Sequence, residues 1–467
     1  MTTEGRVIRE YSSMNRPTRR RILVSTSALG AIPALAACGP QAGPAPAQGP
    51  ATGNLRLGIY GPQAEIPAWE GAVKAFRDRH QAVPVEIEHV ASNYQEKLVS
   101  LAAADSLWDV MRATDEPFYG NVERGVFRDI TDVWNRDLRE INPNDFVEGQ
   151  LDFWRWDKKT KVGGTKAGRI YGTPRDGGEH LIIYNKKLLQ EAGLQPPPRD
   201  GRWTWTDYLD MCRKLTKREG TQLVRAGMDF LPDWTRALSW TGPRGLELLD
   251  TQKRKSEVNT PAMLDTLKEI QDYRFVHRVA PMPGDFQEAR GRQPRLARGL
   301  VGMIIEYALF ASLRAEFKDD PDNWEVAHVP RDPKTGKRTA RASWGGLGIG
   351  ANSRAAEAAW QLAKFVISVE GQKEWARLGR SMPCRLSVLN SEVFNDPKTS
   401  QDEKIWVEGL SYQKYQPITE YWDGTDRIWR YWWRKMMDEG LPPAQAAPQI
   451  DQQVNHLLQT GQEPALQ

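Results

Sequence analysis

Apolar and polar residues first alternate in Leu55-Arg56-Leu57-Gly58-Ile59-Tyr60, the period-two pattern of a strand. From Ile66 to Arg79 the large apolar residues Trp69, Val73 and Phe76 recur three and four apart, which predicts a helix with one buried face. Alternation returns over Val83 to Val90, Tyr94 to Ala104 is helical, and Trp108-Asp109-Val110-Met111 is a short buried strand. Strand–helix–strand–helix–strand predicts an α/β fold with a parallel sheet and crossover helices. Ligands of such sheets sit beyond the carboxyl ends of the strands. Tyr60 to Gln63 and Asp115 to Tyr119 are therefore the first stretches to inspect.

Further along, Arg169 to Pro174 precedes the apolar run Leu181-Ile182-Ile183-Tyr184 and a helical run from Asn185-Lys186-Lys187 to Ala192. Pro196-Pro197-Pro198 stops that helix. Thr204, with Asp207 three residues on, predicts a capping box at the start of the next one. Trp429, Trp432 and Trp433 share the buried face of a late helix, and Trp154 and Trp156 are read as structural. There is no internal repeat.

The N-terminal stretch has a different character. Residues 16–38 read RPTRRRILVSTSALGAIPALAAC: a basic segment, a short apolar segment rich in small residues, then Leu35-Ala36-Ala37-Cys38. The apolar part is too short for a comfortable membrane span, so residues 1–37 are expected to be a signal peptide. The last four residues resemble the bacterial lipobox, which implies lipidation at Cys38 and anchoring to the outer face of the cell membrane. Arg19 and Arg20, followed by Arg21-Ile22-Leu23, resemble a twin-arginine export signal, and fit a generic basic leader equally well. Residues 39–53 hold no charged, aromatic or branched aliphatic residue and have nothing to bury, which is the composition of a tether. Extended, it would reach about 45 Å.

Charge follows from that division. The 467 residues carry a formal charge of +4, but residues 1–37 hold six arginines against two glutamates. From Cys38 onward, 58 basic residues face 58 acidic ones. A neutral body is not that of a nucleic-acid binder, which needs surplus Lys and Arg against phosphate. Cys212 and Cys384 are read as two separate buried thiols, with a disulfide between them as the alternative.

Catalytic signals are poor. The six histidines are scattered without HExxH or paired ligand spacing, and there is no G-x-S-x-G elbow or phosphate-binding loop. No metal site and no cofactor are expected. Binding signals are better: eighteen tryptophans offer flat platforms, and Asp, Glu and Arg offer charge-assisted hydrogen bonds to hydroxyls. The candidate ligand-binding residues are Tyr60 and Gln63 after the first strand, Asp115 and Glu116 (with Tyr119) after the third, and Arg175 and Asp176 after Pro174. Trp234 and Trp240 lie in an irregular stretch, Glu306 and Tyr307 end the strand Val301–Ile305, Trp344 precedes Gly345, and Tyr421, Trp422 and Asp423 precede the late helix. Trp344 and Trp422 are expected to stack on the ligand from opposite sides.

Tyr171-Gly172-Thr173-Pro174, Tyr184-Asn185-Lys186, Ala192-Gly193-Leu194 and Thr204-Trp205 occur in an order and spacing that resemble family 1 bacterial extracellular solute-binding proteins, including the maltose-binding type. Leu296-Ala297-Arg298-Gly299, Trp344-Gly345-Gly346 and Glu439-Gly440-Leu441-Pro442-Pro443 extend the resemblance over residues 54–460. It implies the two-lobe periplasmic-binding-protein-like fold with a hinge and a ligand cleft between lobes. Lobe 1 would hold 54–174 and 322–368, lobe 2 would hold 175–321 and 369–460, and 461–467 would be a tail. It further implies a monomeric, non-enzymatic ABC importer component that closes on a sugar or oligosaccharide and hands it to a membrane permease. The alternatives are an extracellular carbohydrate-active enzyme, or the same fold binding a peptide, polyamine or phosphodiester.

Overall fold

The computed structural model describes residues 54–466 apart from 62, 81–82, 230–232, 308–309, 380–381 and 397–400. The expected leader, twin arginines, lipidated Cys38 and tether lie outside the described residues.

The strands that position the site are β1 (Leu55–Tyr60), β2 (Val85–Val90), β3 (Val110–Thr114), β4 (Thr173–Asn185), β5 (Gln222–Asp229), β6 (Val301–Tyr307), β7 (Trp324–Ala327) and β8 (Ala340–Ile349). They form one curled sheet in the order β2-β1-β3-β8-β4-β6-β5, with β7 also paired to β4. β1 runs parallel to β2 and β3, as the alternating pattern predicts. β8 enters antiparallel between β3 and β4.

β4 joins the two halves. Its first half, Thr173 to Glu179, pairs with β8. Its second half, His180 to Asn185, pairs with β6 and β7. All thirteen residues are buried. At about 3.3 Å per residue the strand is roughly 40 Å long, more than twice the usual length.

Helices cover both faces. In α1 (Ile66–Arg79) the buried residues Ala68, Trp69, Ala72, Val73 and Phe76 fall on the expected face. In α2 (Trp205–Leu215) the capping box is complete: Thr204 Oγ1 accepts from the Asp207 N–H, and the Asp207 carboxylate accepts from the Thr204 N–H at 2.8 Å. The late helix α3 (Trp422–Met437) buries Trp429, Trp432 and Trp433 as expected, and Trp154 and Trp156 are buried too. Cys212 and Cys384 are unpaired thiols in different cores.

Two of the expected lobe boundaries need correction. β7 pairs with Ile182–Asn185, so residues 324–327 still belong to the second half, and the chain returns after them rather than at 322. The segment after 368 packs on the first half: Trp375 meets Trp69 edge-on at 5.1 Å, and Met382–Pro383 pairs with Gly177 and Asp176 of β4. Local periodicity reports that a strand or helix exists, not which sheet it joins, so both boundaries were beyond it.

Candidate ligand-binding site

A cavity of about 370 Å³ opens where the two halves of the sheet meet. Tyr60, Arg112, Asp115 and Glu116 enter it from the carboxyl ends of β1 and β3. Arg175, Asp176 and His180 come from β4, and Arg341, Ser343, Trp344 and Gly345 from β8. Asp233, Arg236, Arg292, Glu306 and Tyr307 close it from the second half, with Arg430 reaching in from α3.

Every one of the six arginines on this wall holds a carboxylate. Arg112 meets Glu65 at 3.1 Å and lies over the Tyr60 ring. Arg175 meets Asp176 at 2.7 Å and is sandwiched between Trp69 and Trp375. Arg236 pairs with Asp233 and lies 3.4 Å from Glu306, whose other oxygen accepts from Arg292 at 2.8 Å. Arg341 meets Glu116 at 2.8 Å and Arg430 meets Asp426 at 2.6 Å. Six guanidinium groups thus face six carboxylates. Asp115 is a seventh, held by the backbone N–H groups of Trp344 and Glu116 at 3.1 and 3.0 Å.

Burial and neighbouring charge divide these groups. Burial alone would raise Glu306, yet Arg292 and Arg236 hold it at about 2, and Arg236 and Arg341 keep Asp233 below the usual carboxylate range. At Glu116 burial prevails over Arg341 and lifts it to about 7; Asp115 is raised by burial as well. Burial, then Arg341 and Arg236, push His180 well below its ordinary value, so its ring is neutral. His180 Nδ1 lies 3.1 Å from the Arg341 carbonyl and Nε2 lies 3.2 Å from Arg341 Nη1. The first therefore donates and the second accepts. At Gly345 a Cβ would collide with Asp176 and the Arg175 guanidinium, so glycine lets that pair lie against β8.

The structure brings together nine of the expected residues: Tyr60, Asp115, Glu116, Arg175, Asp176, Glu306, Tyr307, Trp344 and Gly345. It does not bring in Gln63, which is exposed on a turn before α1. Trp240 stacks on Trp205 at 3.9 Å in the core. Trp234 is stacked between Trp422 and Trp429, with centroids at 5.5 and 5.0 Å. Trp422 therefore packs inside the protein instead of facing Trp344 across a ligand, and Tyr421 and Asp423 are also off the cavity wall. Asp423 sits 3.5 Å from Arg124. These aromatics are consumed by one another, because ring-on-ring burial at the start of α3 offers them more contact than an open wall. Sequence reasoning found Arg175 but missed the other five arginines and His180. Their signal was an ionic residue inside a buried strand, as at Arg112 in Val110–Thr114 and His180 in Thr173–Asn185.

Comparisons place this geometry. Residues 71–405 match the family of bacterial extracellular solute-binding proteins, and the chain belongs to that family. The arabinooligosaccharide-binding protein of Halalkalibacterium halodurans is 26% identical over 120 residues, which is 26% of this chain and only a quarter of that protein. The arabinooligosaccharide-binding protein of Bacillus subtilis is 21% identical over 332 residues, 70% of this chain and 72% of its own length. Among solved structures, an ABC substrate-binding protein of Listeria monocytogenes in complex with cycloalternan superposes with a TM-score of 0.76 at 20% identity, covering 87% of this chain and 99% of that one. The fold is thus the two-lobe solute-binding fold, and the cavity lies in its cleft.

One buried group on the connecting strand makes a stability prediction. Glu179 is fully buried, and neither carboxyl oxygen has a hydrogen-bond partner among the described residues. Burial raises its pKa well above the usual value. A carboxyl whose folded pKa is raised contributes its full stability at acid pH and loses it as pH rises through the folded value. Glu179→Gln should therefore stabilise the protein by roughly 1–3 kcal/mol at about pH 8 and leave it little changed at about pH 5. Thermal unfolding across that range checks this; an unchanged pH dependence in the variant would contradict it.

Proposed function

We propose that this chain captures a sugar or oligosaccharide outside the cytoplasm and delivers it to the membrane permease of an ABC importer. The observation that carries the reading is the cavity of paired charges beside Trp344. Paired guanidinium and carboxylate groups present alternating donors and acceptors, which suits a ring of hydroxyls. Trp344 adds an apolar face for C–H groups. The names of the Halalkalibacterium and Bacillus relatives, and cycloalternan in the Listeria structure, support a carbohydrate. The cavity draws walls from both halves of the sheet, so a ligand that touches both favours the closed arrangement over the open one. No cofactor and no catalytic step enter this reading, and the chain acts as a monomer. Export follows the leader in residues 1–37, by the twin-arginine route through Arg19 and Arg20, and a lipid on Cys38 keeps the body at the outer face of the membrane.

A thermal-shift screen against mono- and oligosaccharides tests the ligand class, since ligand at about 100 times Kd adds roughly 2.7 kcal/mol. No shift with any sugar, and a shift with peptides or polyamines, would replace the carbohydrate reading with its alternative. For the sugar so found, Trp344→Ala should cost on the order of 2–4 kcal/mol of affinity by calorimetry. Trp422→Ala should keep the affinity within roughly twofold, about 0.4 kcal/mol, while lowering the thermal transition. The reverse ranking would return Trp422 to the site. Cys38→Ser should release the protein from membranes, and continued retention would contradict lipidation at that residue.

A further inference from the structure

Glu420, Tyr421 and Asp423 stand at the start of α3 and off the cavity wall. α3 belongs to the second half. Gln271 of the helix Pro261–Phe275 donates to the Met436 carbonyl of α3 at 2.8 Å, and Tyr273 of the same helix packs on Tyr208 of α2, which lies against β5. The turn at Arg254 is held there too, because the helix Pro443–Thr460 packs on α3 and its Asn455 donates to the Ser256 carbonyl at 2.9 Å. On the other side, the helix Phe118–Glu123 follows β3 in the first half. Phe118 meets Trp154 edge-on at 4.8 Å, and Glu123 accepts from Trp156 Nε1 at 2.6 Å and pairs with Lys161. This helix and the loop at Lys161 therefore form one piece.

Three contacts cross from one piece to the other. Arg254 holds the Glu420 carboxylate with both terminal nitrogens, at 2.7 and 3.0 Å, and its Nη1 also donates to the Lys161 carbonyl of the first half at 3.3 Å. The Glu420 carbonyl lies so near Gly120 that a Cβ there would stand 2.7 Å from it, so glycine lets the two backbones close up. Arg124 of the first half meets Asp423 of the second at 3.5 Å. The Arg254 fork is preset by its own half. Its backbone holds a φ of 53°, left-handed and uncommon for any residue but glycine, and such a conformation persists where the surroundings over-determine it. The two-armed grip on Glu420, whose side chain is 6% exposed, supplies that constraint.

We propose that these contacts are a clasp: the Arg254–Glu420 fork on Lys161 and Gly120, with the Arg124–Asp423 pair, holds the two halves together from outside the cavity. The proposal rests on the closure reading above and adds the residues that set its equilibrium. None of the six lines the charge-paired cavity, so none touches a ligand there. Their contacts across the halves exist only when the halves are together, and water takes their place when the halves part. The clasp therefore weights the closed arrangement whatever the ligand is. Apparent affinity scales with the fraction of molecules in the binding-competent arrangement, so every ligand that needs closure gains by the same factor. This gives Asp423, which the cavity wall leaves out, a task at a distance from the ligand.

The test needs no ligand. Spin labels at Lys166→Cys in the first half and Gln449→Cys in the second, both exposed positions, report the distance between the halves by double electron–electron resonance. The full chain carries Cys38→Ser as well, and the other two cysteines, Cys212 and Cys384, are buried. The unliganded protein should show a long and a short distance. Arg124→Asp alone, or Asp423→Arg alone, should deplete the short one at least about twofold in low salt, and the two together should restore it. Arg254→Lys keeps a positive charge beside Glu420 but loses the fork and its reach to Lys161, and should deplete the short distance too; should that variant fail to fold, the charge-reversal series decides. Two distances whose ratio is the same in all folded variants would overturn the clasp and leave closure intact. A single distance throughout would remove closure, and the clasp with it.

Discussion

The strand Thr173–Asn185 is buried along its whole length although its middle reads Arg-Asp-Gly-Gly-Glu-His. Burying ionic groups costs several kcal/mol each unless they are paired and hydrogen-bonded. The surrounding structure is arranged around that requirement. Asp176 neutralises Arg175, two tryptophans from separate helices cover the Arg175 guanidinium, and Gly345 leaves room for the pair. His180 avoids the cost by staying neutral and locking Arg341 from both ring nitrogens. Because the same strand is shared by both halves of the sheet, these pairs stand where the halves meet, and they form the wall of the cavity.

That wall is polar without being a charge sink. Glu306 serves two arginines, one on each carboxylate oxygen, and stays ionised although buried. Glu116, lifted to about 7, sits where Arg341 and Gln416 converge. A neutral polyhydroxylated ligand replaces water on these groups without leaving any charge unpaired. An added phosphate or carboxylate would compete with Asp233, Glu306 and Glu116 for arginines they already hold. Preorganised donors and acceptors of this kind lose little freedom on binding, so their hydrogen bonds count in full toward affinity.

Much of this was legible beforehand where local pattern decides. The alternation in Leu55–Tyr60, the face of α1 and the Thr204–Asp207 capping box each depend on residues within one turn or strand. Asp115 and Glu116 were singled out because the topology of a parallel sheet says where a ligand goes, and Glu306 and Tyr307 because they end a strand that the family resemblance places at the cleft. Apart from Arg175, the arginines were not found, because a lone arginine reads as surface until the fold buries it. Trp422 and Trp234 were misassigned for the converse reason: an aromatic beside a loop reads as a platform, and only the packing shows that Trp234, Trp422 and Trp429 stack on one another.

The central claim is that a ligand held by both halves of the sheet draws them together about the shared strand. Small-angle X-ray scattering of the protein with and without a saturating sugar, at a concentration where calorimetry shows full binding, measures this directly. The account requires the radius of gyration to fall on binding and the scattering curve to change shape in the manner of a closing cleft. Full occupancy with an unchanged scattering curve would contradict it, because the cavity would then bind its ligand without any difference in affinity between open and closed arrangements.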